Sequence, residues 1–244
     1  MAWGSPKEVQ PIPPPRKVGK PVSYQLRYAA GVACHVVYVD LRCQTLRLQA
    51  VRAQDLGARF HSFAAFVQQT RPLAAINGTF FDVSSGTIVC NLVRNGRLLE
   101  SGSAGHTFSI GRDRKVRWIS TAGRAGGRVN WKNTELAISS GPTLVRNHRI
   151  VLNPSREGFS DPGLFRQAAR SGLATTRSGR LLLVSVNRPI TLGQFARAMK
   201  ALGVNDALNL DGGTSTGLYA QGTYFSKPGR KLTNVLLVSL RPRR

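Results

Sequence analysis

Acidic residues are what this 244-residue chain has least of for its size: 11 Asp and Glu stand against 35 Lys and Arg, a formal net charge of +24. So small a supply narrows any search for catalytic carboxylates to a few positions. Cysteine is also scarce. The three present, Cys34, Cys43 and Cys90, leave at least one thiol without an intrachain partner, and there is no Cys-x-x-Cys or Cys/His cluster with zinc spacing. A hairpin turning near Asp40-Leu41 would place Cys34 opposite a residue near Gln49, which argues against a Cys34–Cys43 bridge. No run is long or apolar enough to make a transmembrane segment, and the N-terminus lacks the apolar middle of a signal peptide. The chain is then either cytoplasmic or begins after a removed leader.

What remains is enough for one core. With 41% hydrophobic residues, a chain of this length can fold as a single domain. Six of the 13 prolines fall in residues 1–21, where no apolar periodicity is present. We therefore expect a Pro-rich extended tail over 1–21 and one domain over 22–244.

The domain reads as strand-rich. Arg94-Asn95-Gly96-Arg97 between apolar runs is a strong hairpin signal, repeated more weakly at Arg146-Asn147-His148-Arg149 and at Gln221-Gly222. Tyr24 to Tyr28, Val32 to Val39, Phe108 to Ile110 and Val235 to Leu240 read as further strands. Ile119 to Lys132, rich in Gly and Arg, reads as a loop that can cover a site.

Two stretches share a strand–helix–strand grammar. In the first, a β run from Thr45 to Val51 leads to a helix near Ser62 to Gln69 and a strand from Leu73 to Ile76. In the second, Gly179 to Val186 precedes a helix from Leu192 to Leu202. A Thr191/Gln194 capping box opens that helix, Leu192, Phe195, Met199 and Leu202 recur along it, and Gly203 stops it. Ala207 to Leu210 then forms a short buried strand. Units of this kind gather ligands at the carboxyl ends of their strands. The expected fold is thus α+β, a mixed sheet with two βαβ-like units and few short helices.

Both units end in a polar residue, glycine and threonine. Asn77-Gly78-Thr79-Phe80-Phe81-Asp82 closes the first; Asn209-Leu210-Asp211-Gly212-Gly213-Thr214-Ser215-Thr216 closes the second. The latter carries a carboxylate into consecutive glycines and hydroxyls, where backbone N–H groups can meet anionic oxygens. Asp-Gly is equally a common hairpin turn.

Asn77-Gly78-Thr79-Phe80-Phe81, Ser140-Gly141-Pro142, Arg170-Ser171-Gly172-Leu173, Leu202-Gly203 and Ala207 to Gly213 together resemble, in this order, the phosphodiester glycosidase domain family. The resemblance covers roughly Val36 to Leu240. It implies a single α+β domain that hydrolyses the bond between a sugar and a phosphodiester. Where the family often has Asp-Gly before the capped helix, this chain has Val186-Asn187-Arg188; where a third glycine often follows Asp-Gly-Gly, it has Thr214.

Such a reaction needs one or two carboxylates, because the phosphate already leaves well. Asp211 is the expected catalytic carboxylate and Asp82 its partner, with Asp161 and Glu157 as outsiders. For substrate binding, Asn77 and Gly78 are expected at the sugar, and Arg170 as a guanidinium grip on phosphate. Gly212, Gly213, Thr214 and Ser215 would present N–H and hydroxyl groups. His106 reads as a satisfied half-buried histidine rather than a base. No spacing demands a metal or other cofactor. The basic field suits an anionic carbohydrate phosphodiester partner, such as a cell-surface or cell-wall glycopolymer, and with it an extracytoplasmic location. The alternative is a noncatalytic module for a phosphate-rich polymer or nucleic acid. Nucleic acid is less favoured, since the arginines are scattered rather than gathered on a reading element.

Overall fold

The computed structural model describes residues 20–121 and 129–241. Residues 1–19 of the expected tail, and 122–128 of the expected loop, lie outside the described residues. Seventeen strands form three sheets, with three α-helices among the described residues.

The largest sheet runs in the order β1 (Val22–Ala29), β2 (Val32–Asp40), β13 (Arg180–Ile190), β12 (Ala168–Thr175), β14 (Asp206–Asn209), β10 (Thr143–Arg146) and β11 (Arg149–Ile150). A second runs β16 (Thr223–Ser226), β15 (Leu218–Ala220), β4 (Ala74–Asn77), β17 (Asn234–Leu240), β3 (Leu46–Arg52). The third runs β6 (Arg97–Glu100), β5 (Leu92–Arg94), β9 (Thr134–Ser140), β7 (His106–Gly111), β8 (Val116–Ser120).

One apolar core joins all three sheets, with Leu48 of β3, Ile76 of β4, Phe108 of β7, Ile138 of β9, Leu183 of β13 and Leu208 of β14 among its members. Each of the first two sheets carries a helix on its other face. The helix α3 (Leu192–Ala201) sets Phe195 and Met199 against Leu182 and Val184. The helix α1 (Phe63–Thr70) sets Phe66 and Val67 against Val235 and Leu237. Strands β13 and β17 are thus buried on both faces, which is why they read as unbroken apolar runs rather than alternating ones. A third, short helix, α2 (Pro162–Phe165), lies on the loop before β12.

The two strand–helix–strand units exist with nearly the expected limits: β3, α1, β4 and β13, α3, β14. Thr191 Oγ1 accepts from Gln194 N at 3.2 Å while Gln194 Oε1 accepts from Thr191 N at 2.8 Å, closing the expected capping box. The mixed sheet is corrected, however. All strand pairs among the described residues are antiparallel, because β17 is inserted between β3 and β4, and β12 between β13 and β14. The outer strands of each unit run parallel to one another yet never touch. Single-sequence periodicity marks a strand but not which distant strand will slide between it and its neighbour.

The hairpins follow their turn residues. Asn95 and Gly96 have φ of 53° and 82°, Asn147 and His148 48° and 61°, and Gln221 and Gly222 50° and 88°, the double positive φ of the turn that suits twisted hairpins. The expected hairpin through Asp40-Leu41 does not form: β2 pairs with β1 and β13, so Cys34 faces Arg27, not Gln49. All three cysteines are free thiols. Ile119, read as loop, belongs to β8.

Candidate active site

The two units deliver their carboxyl ends to one place. Asp211, two residues beyond β14, donates its N–H to Gly78 O at 3.3 Å, and Asn77 Nδ2, at the end of β4, donates to Asp211 O at 2.7 Å. The backbone of the expected catalytic residue is therefore clamped by the opposite unit. Asn77 is 1% exposed and its amide is fully engaged: Oδ1 accepts from Gly217 N at 3.1 Å, and Nδ2 also reaches Gly78 O. That leaves it a positioning role instead of the sugar contact expected of it. Gly78 is likewise internal, since a Cβ there would stand 1.7 Å from Asn234 Oδ1, whose amide locks Thr79 through both N and O.

Above this clamp opens a cavity of about 630 Å³. Asp211, Gly212, Gly213 and Arg170 line it, as expected of them, and so does Asp82. Asp211 Oδ1 accepts from Gly212 N at 2.9 Å. Burial pushes its pKa from 3.8 up to about 6, against the opposing pull of the Ser215 hydroxyl, the Arg230 charge and the Gly212 N–H. The carboxylate is only partly shielded from solvent, yet protein surrounds it closely enough for desolvation to dominate. Gly212 thus serves the carboxylate itself. Gly213, at φ 58°, opens a 3-10 turn over Gly213–Ser215, and its N–H has no acceptor among the described residues. Ser215 is fully buried beside Asp211 with its Oγ outside hydrogen-bond geometry to any partner. Thr214 is exposed and meets Arg230 Nε through its Oγ1.

Asp82 occupies the opposite electrostatic state. It is exposed, and its Oδ1 accepts from Ser84 Oγ at 2.6 Å, Ser84 N at 3.0 Å and Ser85 N at 2.6 Å, which holds the carboxyl well below the usual range. One oxygen is spent on its own turn. Two carboxylates lining one cavity with pKa values driven apart are the usual mark of divided acid/base roles.

Arg170 is a buried cation, 2% exposed, with no carboxylate on it among the described residues. Nε donates to Ile190 O at 3.1 Å and Nη2 to Leu164 O at 3.2 Å and Arg166 O at 2.5 Å, so Nη1 is the arm without an acceptor among the described residues. A buried guanidinium balanced only by carbonyls suits an anionic neighbour, but with Nε and Nη2 already bonded to carbonyls the geometry leaves no room for the expected two-point grip.

Sequence reasoning passed over Arg230, Phe80, Phe159 and Cys90, all of which line the cavity. The Phe80 and Phe159 rings lie 5.7 Å apart, and an apolar side accompanies the charged one. Arg230 sits after Pro228-Gly229, a turn signal flanked by Lys227 and Lys231 that marked it. Phe159 carried no such signal. The two outsiders divide: Asp161 lines the cavity while its Oδ1 caps α2 by accepting from Gly163 N at 2.7 Å. Glu157 lies behind the wall, where both its oxygens take Thr143 N at 3.0 Å and Oε2 meets His106 Nδ1 at 2.9 Å. His106 is thereby satisfied, as its sequence context suggested. Among the described residues no group of three or more His, Cys, Asp or Glu is placed to hold a metal ion.

The crossover ends of this strand-rich domain thus meet at one desolvated carboxylate, and a buried arginine lines the same cavity. The chain belongs to the phosphodiester glycosidase family, whose model matches residues 70–239. It is 29% identical over 171 residues to mouse N-acetylglucosamine-1-phosphodiester alpha-N-acetylglucosaminidase and 28% over 169 residues to the bovine enzyme, matches covering 63% of this chain. It spans about a third of those relatives: 33% and 32% of their lengths. In fold it is similar to the zebrafish N-acetylglucosamine-1-phosphodiester alpha-N-acetylglucosaminidase catalytic domain auto-inhibited by its pro-peptide, with a TM-score of 0.70 at 21% identity over 90% of this chain and 82% of that one. A hypothetical protein from Synechocystis also gives a TM-score of 0.70, at 17% identity over 91% of this chain and 62% of that one.

Proposed function

We propose that the protein hydrolyses the bond between a sugar C1 and a phosphodiester, with Asp211 as the catalytic carboxylate. The observation that carries this reading is a cavity lined by both a desolvated Asp211 and the buried Arg170, because the reaction separates a sugar cation from a phosphate anion. In the ionised form Asp211 takes a proton from water as that water attacks C1; the C1–O bond breaks and its electrons leave with the phosphate monoester. A base with a pKa near 6 suits that task at neutral pH. Arg170, the Gly213 N–H and Arg230 hold the phosphate as its charge grows, and Asp82, permanently ionised, supports the developing positive charge on the sugar or binds its hydroxyls. The Phe80 and Phe159 rings supply an apolar face for a sugar ring.

The natural substrate in this reading is an anionic cell-surface or cell-wall glycopolymer with phosphodiester links, met outside the cytoplasm. The net charge of +24 supports it by concentrating polyanions at the surface. The test is release of free sugar from N-acetylglucosamine 1-phosphate methyl diester. Wild type should release it and Asp211→Asn should not, while both give the same circular dichroism spectrum. Binding of polymer with no release by wild type would instead establish a noncatalytic module.

A further inference from the structure

A second opening lies away from the cavity, on the α1 side of the second sheet. It is an open cleft of about 540 Å³ lined by Gln68, Arg71, Pro72, Tyr219, Gly222 and Tyr224. The two tyrosine rings stand 5.0 Å apart at 55°, Tyr219 is fixed by Gly222 N donating to its hydroxyl at 3.2 Å, and Lys227 Nζ lies 5.9 Å over the Tyr224 ring. Gln68 and Arg71 are exposed beside them.

We propose that this cleft is a second binding site for a sugar unit of a phosphate-bearing glycan whose scissile link lies in the Asp211 cavity. Three features support that ligand. Two tyrosine rings on the cleft wall, partly buried against Phe63, with an amide and a guanidinium beside them suit a sugar ring, apolar on its faces and hydroxylated at its edge. The stretches that build the cleft carry no acidic residue: none occurs from 62 to 81, nor from 212 to 244. A cationic partner therefore finds nothing to pair with, and an anionic one finds Arg71 and Lys227.

The third feature is continuity. From Tyr224 the chain follows β16 and then Lys227-Pro228-Gly229-Arg230-Lys231 to the mouth of the cavity, where Arg230 is part of the lining. Lys227, Arg230 and Lys231 are all exposed along this path. Tyr224 and Arg230 are six positions apart, a reach of at most about 20 Å even for fully extended chain. A polyanion laid along that ridge would meet the aromatic cleft at one end and Arg230 at the other. This rests on the proposed hydrolysis and adds that the substrate is a chain rather than a single diester.

The experiment compares wild type with Tyr224→Ala and with the double variant Arg71→Asn/Lys227→Glu. Asn is chosen because Arg71 has φ 45°, which Asn tolerates. The double variant alters exposed side chains only, so it remains informative if Tyr224→Ala unfolds. Two probes are used: N-acetylglucosamine 1-phosphate methyl diester and a poly(N-acetylglucosamine 1-phosphate) chain. The expected result is a rise of about tenfold in KM for the polymer, a shallower salt dependence of polymer binding, and an unchanged kcat/KM for the methyl diester. An unchanged polymer KM overturns the inference, as does single-stranded DNA binding wild type more tightly than the polymer and losing that advantage in the double variant. If neither probe is hydrolysed but polymer binding still weakens in the variants, the cleft stands and the hydrolytic reading falls.

Discussion

The two crossover units end alike in sequence and unlike in chemistry. At the end of β4, Asn77 and Gly78 are buried, and every polar atom of the Asn77 amide is bonded to the chain. At the end of β14, Asp211 keeps a desolvated carboxylate turned to a cavity, beside the buried Ser215 hydroxyl and with the buried Arg170 on the same lining. One end is a clamp and the other is what it holds. Well-satisfied contacts at one element commonly offset the cost of a strained or desolvated group beside it where function needs that group.

The strongest way to break this comparison is to remove the charge and leave the clamp. Asp211→Asn keeps the shape and both backbone contacts, so activity should fall by about a thousandfold or more in steady-state sugar release while circular dichroism is unchanged. Breaking the clamp should do the opposite. Gly78→Ala drives a Cβ to 1.7 Å from Asn234 Oδ1 and 2.9 Å from its carbonyl oxygen. Both the Asn234 and Thr79 contacts must then yield, and urea melts should show a loss of at least about 3 kcal/mol. Should Gly78→Ala melt like wild type with activity intact, the clamp has no role in placing Asp211.

Much of this was legible beforehand because the signals are local. The Thr191/Gln194 box, the Asn95-Gly96 turn and the apolar spacing of α3 act within a few residues, and each formed where the sequence places it. The convergence of Asn77 with Asp211 was also readable, because equivalent strand ends in crossover units face one side. Which polar group turns inward was not. Asn77 and Asp82 look equally available to a ligand in sequence, but Gly217, 140 positions from Asn77, claims its amide, and Ser84 and Ser85 claim an Asp82 oxygen. The insertion of β17 and β12 between their neighbours depends on contacts just as remote.

The same contrast has a thermodynamic face. Asp211 titrates near 6 in the fold and near 3.8 as an ordinary carboxylate, so the folded state binds more protons than the unfolded state between those values. Its contribution must then destabilise progressively as pH rises from about 4 to about 6 and stay constant above. Asp211→Asn should therefore be more stable than wild type above pH 6, by on the order of 2 kcal/mol after allowing for its partial exposure, and equal to it below pH 4. Denaturant melts across that range measure the gap. The acid limb of kcat should fall at the same pH, since the ionised form is the base; activity that rises on acidification would make Asp211 the proton donor instead.

Asp82→Asn sharpens the comparison with the least force. The amide keeps an oxygen for Ser84 and Ser85, so the turn and the melting temperature should be preserved, whereas the negative charge at the cavity is lost. If that charge supports the sugar cation, kcat falls about tenfold with KM for the methyl diester changed much less, because the interaction grows only as positive charge develops. A rise in KM alone would mean that Asp82 binds sugar hydroxyls equally in ground and transition states. No change in either would make the carboxylate a turn-former whose place beside the cavity is incidental, leaving Asp211 to act without a second acid from the first unit.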